Sequence, residues 1–521
     1  IHPWSDYDGW DTHHYPTYLT GMHRFNNGEN VFFPTEFMHG TYDNGIGAGL
    51  EDFWKRYKQS PFFAGGFIWA MLDEAVLRTD WNGEQKYDSK GSLAADGVLG
   101  PHREKEGSFF TVKEVWSPIQ FQPKQITSTF DGSFLITNEY IYSNLNTCKL
   151  EYRVIQANNN MLYTNDKAVV IASNPIAIES IEPGETRNIK FELPTNFFEG
   201  DYLEITAHDQ HDREIYTWSW PIHKAPYFAH KFLKEKPEKK AVAASKSETE
   251  ILLSSKNVHV KFDVDTGEIL QIENNSVIVP FKNGPRPIGM KAKVKKVELE
   301  EHKDYAACTI HYSGGIDTIK WTLFNDGRLK MEMIVLKNAG RSNGFDGAFF
   351  EGEINKFGIT FDFPEEGVKA IKWLGNGPYH VWKNRIKGTT FGLWEKDYNK
   401  TITGESFENL VYPEFKGYHA NMVAANLKTE KGDLKFFSES DKLFLRLFTP
   451  DLPRNAFPGT HPQPEFPQGN ISFMYEIPAM RAFKPLEHQG PESQPTNIRI
   501  KSGDEGIPMI LWFDFRNYSN N

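Results

Sequence analysis

The stretch VFFPTEFMHGTYDNGIGAGLEDFWKRYKQSPFFAGGFIWAML, residues 31–72, decides how the first part of the chain folds. Its opening apolar run ends on a single carboxylate, Glu36, which stands flush against Phe37, Met38, His39 and Gly40. Leu50, Phe53, Trp54 and Tyr57 then fall at i, i+3, i+4 and i+7, one apolar stripe of a helix. Charged residues fill the other face, and Pro61 stops the helix. A second apolar run, FFAGGFIWAML, follows at 62–72. Strand, helix, strand in that order predicts a βαβ unit with parallel strands and a right-handed crossover.

In parallel α/β architectures the C-terminal strand ends build the site, and Glu36 stands at such an end. Just upstream, WDTHHYPTYL (10–19) reads as another strand end, carrying His13, His14, Tyr15 and Tyr18. Trp69 closes the following strand. Three consecutive strand ends therefore aim a carboxylate, phenols, imidazoles and an indole at one face. A sugar site uses this mixture: a carboxylate for the anomeric carbon, an aromatic platform, and polar groups for hydroxyls. Any one of these residues taken alone reads first as packing; the set in this order is what points to chemistry.

From residue 117 the pattern changes. The segments 134–143, 188–194, 202–209 and 214–222 alternate like strands, with turn residues such as EPGE at 182–185 between them. They predict an immunoglobulin-like β-sandwich over 117–222. Residues 223–248, rich in Lys, Glu, Ala and Ser, read as a solvated linker. Beyond it, VHVKFDVDTGEILQI (258–272) has hairpin chemistry around Asp-Thr-Gly. Strand-like segments continue to ILWFDF at 510–515, which predicts a large antiparallel β-domain over 249–521. The chain is thus expected to be multidomain and mostly β, in keeping with 521 residues.

The net charge of -11 argues against a nucleic-acid partner. No apolar run reaches the length of a membrane-crossing helix. Two distant cysteines, Cys148 and Cys308, exclude a disulfide framework and a cysteine zinc site. They leave periplasm and cytoplasm equally open. The first residues carry neither a leader pattern nor an initiating Met, so the chain reads as cut from something longer.

The stretch PTEFMHGTYDNGIGAGLEDFWKRYKQSPFFAGGFIWAMLDEAVLRTD resembles the end of the catalytic barrel in glycoside hydrolase family 2, the group that contains bacterial β-galactosidases. ITNEYIYSNLNTCKLEY is similar to the sandwich that follows that barrel. VKFDVDTGEILQI and WLGNGPYHVWKNR are similar to the final domain of the β-galactosidase subgroup. The resemblance implies that residues 1–116 are the last strands of a (β/α)8 TIM barrel. It implies that residues 249–521 are a β-supersandwich of the galactose-mutarotase-like kind. It also implies a retaining mechanism on terminal β-D-galactose, with two carboxyl groups about 5–5.5 Å apart.

Carried over position by position, Glu36 takes the nucleophile's place, His39 that of a sugar-binding histidine, and Trp69 that of the platform. Tyr15 is the choice for the tyrosine that bonds the nucleophile, with Tyr18 as alternate; His14 joins the substrate-binding set. AADGVLG (94–100) resembles a loop where the family places an Asn near the sugar and a sodium ion; Asp96 stands there instead. No cofactor is firmly implied; Mg or Na ions fit the family, with their main ligands expected upstream.

The family's acid/base Glu lies in an Asn-Glu pair on barrel strand four, which strand counting puts before residue 1. Asn138-Glu139 is read as a sandwich residue pair, and Asp73 and Glu74 as shaping the pocket at most. The expected partners are a carbohydrate and the upstream part of the same enzyme, as a second chain or a preceding segment, with room for a homo-oligomer. Two alternatives accompany this reading. One is a β-glucuronidase-like enzyme, which calls for a cation near the carboxylate. The other is an inactive carbohydrate-binding or structural fragment.

Overall fold

The computed structural model describes residues 6–20, 28–40, 47–80, 82, 86–89, 96–101, 103–122, 125–164, 166–233, 241–337, 349–398, 415–450, 466–480, 484–501 and 505–519. Among these the chain is mostly β, with many antiparallel sheets and three α-helices.

The first part is the exception to antiparallel pairing. Strands β1 (Asp6–Tyr7), β2 (Trp10–His14) and β3 (Val31–Glu36) form one sheet, with β2 parallel to β3. The register slips between His13 and His14, so that His14 pairs with Glu36. Strand β4 (Met38–His39) runs parallel to β5 (Ile68–Trp69), which sets His39 beside Trp69. The crossover between them holds helix α1 (Leu50–Tyr57). Part of its glycine-rich approach, 41–46, lies outside the described residues.

As its spacing predicts, α1 buries Leu50, Phe53 and Tyr57. Tyr57 packs edge-on to Phe32 of β3 at 5.3 Å and to Phe37 at 5.6 Å. The second apolar run is less regular than expected: it contributes the two residues of β5 and two isolated parallel bridges, Phe63 to Phe32 and Leu72 to Leu99. The pair Gly65-Gly66 between them offers no side chain to hold a longer strand. A hairpin, β6 (Ala75–Arg78) and β7 (Lys86–Ser89), and helix α2 (Gly107–Val115) complete this part.

Seven strands follow: β8 (Ile119–Gln122), β9 (Ser133–Asn138), β10 (Lys149–Gln156), β11 (Val169–Ile176), β12 (Thr186–Lys190), β13 (Tyr202–His208) and β14 (Glu214–Pro221). They form a four-stranded sheet, β11-β10-β13-β14, and a three-stranded sheet, β12-β9-β8. Alternate residues of both sheets point into one core, among them Phe121, Phe134, Tyr152, Ile205 and Trp220.

The span read as a linker is not solvated throughout. Residues Ala225–Phe232 form helix α3, whose Ala225, Phe228, Ala229 and Phe232 fall at i, i+3, i+4 and i+7 and are buried. They pack with Leu374, Phe391 and Phe437 of the last region. The strand Ala243–Lys246 pairs with Glu250–Ser254. Residues 234–240 of the same span lie outside the described residues.

The last region is built from a nine-stranded, two five-stranded and one two-stranded antiparallel sheet around one large core. The Asp-Thr-Gly hairpin forms as expected: Val258–Asp263 pairs with Ile269–Asn274, and Asp263 accepts from the Thr266 amide at 2.8 Å. One further core joins the two ends of the chain. Phe32, Phe37, Met38, Leu50, Phe53 and Tyr57 pack with Val381, Trp382, Tyr418 and Met474. The parallel strands and α1 are therefore covered by the C-terminal region.

Candidate active site

Glu36 is the last residue of β3, and the parallel pairing with β2 brings His14 and Tyr15 beside it. The Tyr15 amide donates to the Glu36 carbonyl at 2.7 Å. Tyr15 then turns sharply, with φ of 50°, a conformation uncommon for an aromatic residue. That turn swings the ring back, so that its hydroxyl donates to Oε2 of Glu36. Burial first, and then the Glu36 carboxylate, push the Tyr15 phenol far above its ordinary range. The phenol thus stays a donor at any working pH.

His14 brings Nε2 to 3.9 Å from the same carboxylate oxygen, while its Nδ1 meets Thr35 Oγ1 at 3.2 Å. The Glu36 side chain keeps 24% of its surface open. Among the described residues Tyr18 makes no hydrogen bond to the carboxylate cluster; its ring meets Phe53 edge-on at 5.8 Å, and its amide donates to the His488 carbonyl. Between the two candidate tyrosines, geometry places Tyr15 on Glu36.

The second half of the site lies one strand further on. Trp69 donates Nε1–H to Asp96 Oδ2 at 2.8 Å and leaves 38% of its surface open, so the ring is tethered by its edge. His39 faces the same carboxylate, Nε2 at 4.0 Å from Oδ2, while Nδ1 bonds the Gly40 carbonyl. Burial pushes His39 below its ordinary range, favouring the neutral ring. A neutral imidazole that donates through Nδ1 presents Nε2 as an acceptor, which suits a hydroxyl. Close approach of the strand and the Asp96 loop depends on Gly40: a Cβ there would lie 2.2 Å from the Asp96 carbonyl oxygen.

Asp96 is buried, and burial raises it to about 7, with Trp69 opposing and Glu74 and Asp73 adding to the rise. Asp73 is raised to about 7 by the same cause, although the Gly97 amide donates to it at 2.9 Å. Near neutrality this wall can therefore both donate and accept. Oδ1 of Asp96 is buried without a partner. Among the described residues no group of three or more His, Cys, Asp or Glu could hold a metal.

Asn138 and Glu139 stand apart from this cluster. Asn138 is fully buried and donates to the Ser143 and Ile181 carbonyls, and Glu139 bonds Lys58 of the segment after α1 at 2.8 Å. A residue absent from the sequence reading does reach the site. Lys484, 448 positions after Glu36, sets its ammonium 5.3 Å over the Tyr15 ring and 5.6 Å over Phe53. Nothing in the local pattern AFKPLEHQ marks it, because only the shared core of the two chain ends brings it here.

Residues 254–449 match the family model described as the β-galactosidase small chain. The C-terminal region of this chain is thus similar to that small chain. A β-galactosidase of Pseudoalteromonas haloplanktis is 18% identical over 424 residues, covering 71% of this chain and 39% of that protein. One of Halalkalibacterium halodurans is 19% identical over 459 residues, covering 78% and 41%. The chain thus spans about two fifths of the length of these relatives. An Amycolatopsis orientalis exo-chitosanase structure aligns over 55% of this chain and 32% of its own, at 9% identity and a TM-score of 0.18, too low to inform the fold.

Proposed function

We propose that this chain is the C-terminal part of a retaining exo-glycosidase that removes terminal β-D-galactose, with Glu36 as the nucleophile. In this reading residues 1–116 are the last strands of a (β/α)8 barrel, 117–222 an immunoglobulin-like sandwich, and 249–521 the β-supersandwich. The observation that carries it is the Tyr15 hydroxyl bonded to a part-open carboxylate at a parallel strand end, beside the tethered Trp69 ring.

A Glu36 oxygen forms a bond to the anomeric carbon as the glycosidic C–O bond breaks. A second carboxyl group, expected upstream of this segment, gives its proton to the departing oxygen. The same group then takes a proton from water, which attacks the anomeric carbon and frees Glu36. Tyr15 holds the Glu36 carboxylate in position through the first step. Trp69 offers the sugar an apolar face, and His39 Nε2 and Asp96 meet its hydroxyls.

Azide rescue of E36A tests the assignment. The protein purified at its native length should lose aryl β-D-galactosidase activity with E36A by several orders of magnitude. Azide should restore turnover and yield the α-galactosyl azide, because the small anion enters the face vacated by the carboxylate. A β-azide product, or no effect of E36A on rate, contradicts Glu36 as nucleophile.

A further inference from the structure

Lys484 is buried, with only 5% of its surface open, yet among the described residues its ammonium makes no ion pair and donates no hydrogen bond. Among the described residues it lies over the Tyr15 and Phe53 rings. Ring faces attract a cation but accept its three N–H donors poorly. A buried ammonium lacking an anion is strongly disfavoured, and burial pushes this one down to about 7. Such a group is held in place by the fold around it: the Tyr18 amide donates to His488, and the Glu492 amide to Asp52 Oδ2 at 2.7 Å.

The candidate site is therefore polarised. One flank is acidic, formed by Asp96, Asp73 and Glu74; the other carries Lys484 beyond Tyr15. His39 lies within the field of both, since Glu36 and Glu74 act on its charge in one sense and Lys484 in the other. A neutral sugar uses hydroxyls on both flanks alike. A sugar bearing an anion has one place to put it.

We infer that Lys484 receives an anionic substituent of the sugar, a carboxylate or a sulfate ester, so that the site takes acidic galactosides in preference to neutral ones. The inference rests on the sugar site proposed above.

The test is a calorimetric titration of the protein at its native length with D-galactose, D-galacturonate, D-galactose 6-sulfate and D-galactose 3-sulfate, for the parent, K484M and K484R. At least one anionic sugar should bind the parent about tenfold or more tightly than galactose, the scale of one charge-assisted hydrogen bond. That advantage should vanish in K484M, survive largely in K484R, and shrink with added salt. Which anion wins separates a uronic acid from a sulfated sugar. Equal binding of galactose and all three anions by the parent overturns the inference. So does K484M weakening every sugar alike, which would assign Lys484 to the fold or to a carboxylate of the polypeptide. Binding is read without turnover, so it stands whether or not Glu36 forms a glycosyl-enzyme.

Discussion

The Tyr15 hydroxyl donates to Oε2 of Glu36 while the Tyr15 amide bonds the Glu36 carbonyl, so one residue grips both ends of the other. The backbone bond belongs to the sheet, and in the proposed reading the phenol belongs to the chemistry. Removing the hydroxyl alone separates the two. Y15F should lower kcat on an aryl β-D-galactoside by about 10- to 100-fold, the worth of one hydrogen bond to a charged acceptor. Its melting temperature should remain close to the parent's. Unchanged kcat would remove Tyr15 from the mechanism.

The acidic wall gives the protein a pH dependence with a definite sign. Asp73 and Asp96, raised from 3.8 to about 7, hold protons more tightly folded than unfolded. Their contribution therefore falls as pH rises from about 4 to about 7. D96N removes one of the two groups. The loss of melting temperature between pH 5 and pH 8 should be smaller in D96N than in the parent, as thermal unfolding across that range will read.

The Asn-Glu pair in the sandwich offers a negative control. Glu139 bonds Lys58 with both groups part-exposed, an arrangement worth about 1 kcal/mol at most. E139Q should leave kcat within about twofold of the parent. A collapse of kcat with intact binding would make Glu139 the acid/base and displace the expectation that this group lies upstream.

Gly490 lies where the segment carrying Lys484 crosses α1. Its φ of -80° and ψ of -178° suit any residue, but a Cβ would sit 2.4 Å from Asp52 Oδ2. G490A should push the 484–493 segment off α1, which limited proteolysis will detect as faster cleavage there.

The buried pair Lys231–Asp201 ties α3 to the sandwich at 2.6 Å. K231M leaves Asp201 buried without its cation and should cost about 3–5 kcal/mol in denaturant unfolding. A loss under about 1 kcal/mol would mean that the helix is held by its apolar face alone.

Much of this was legible in the sequence where a period was strong. The apolar stripe of α1 and strands β9, β12, β13 and β14 overlap the positions that the spacing picks out, whereas β8, β10 and β11 lie outside the named segments and β9 ends at Asn138. Helix α3 was equally periodic, at Ala225, Phe228, Ala229 and Phe232, but the lysines and glutamates after it drew the whole span towards a solvated reading. Helix α2 was harder: its buried residues are Gly107, Ser108, Thr111 and Val115, and its anchors are polar. Thr111 donates to the Lys387 carbonyl, and Glu114 accepts from the Gly388 amide. Small and polar contacts leave no hydrophobic signature. Tyr15 and Trp69 could be picked out because each lies at or beside a strand end near Glu36, whereas His39 and Asp96 are singled out by the family resemblance alone. Lys484 could not, since its place depends on tertiary packing across the chain.

The central claim is that Glu36 attacks the anomeric carbon. A 2-deoxy-2-fluoro-β-D-galactosyl substrate with a good leaving group slows the second step and traps the covalent intermediate. Peptide mapping by mass spectrometry of the protein at its native length should then place one fluorogalactosyl group on Glu36, in the peptide containing FFPTEFMHG. A label on any other residue, with Glu36 unmodified, would contradict the account.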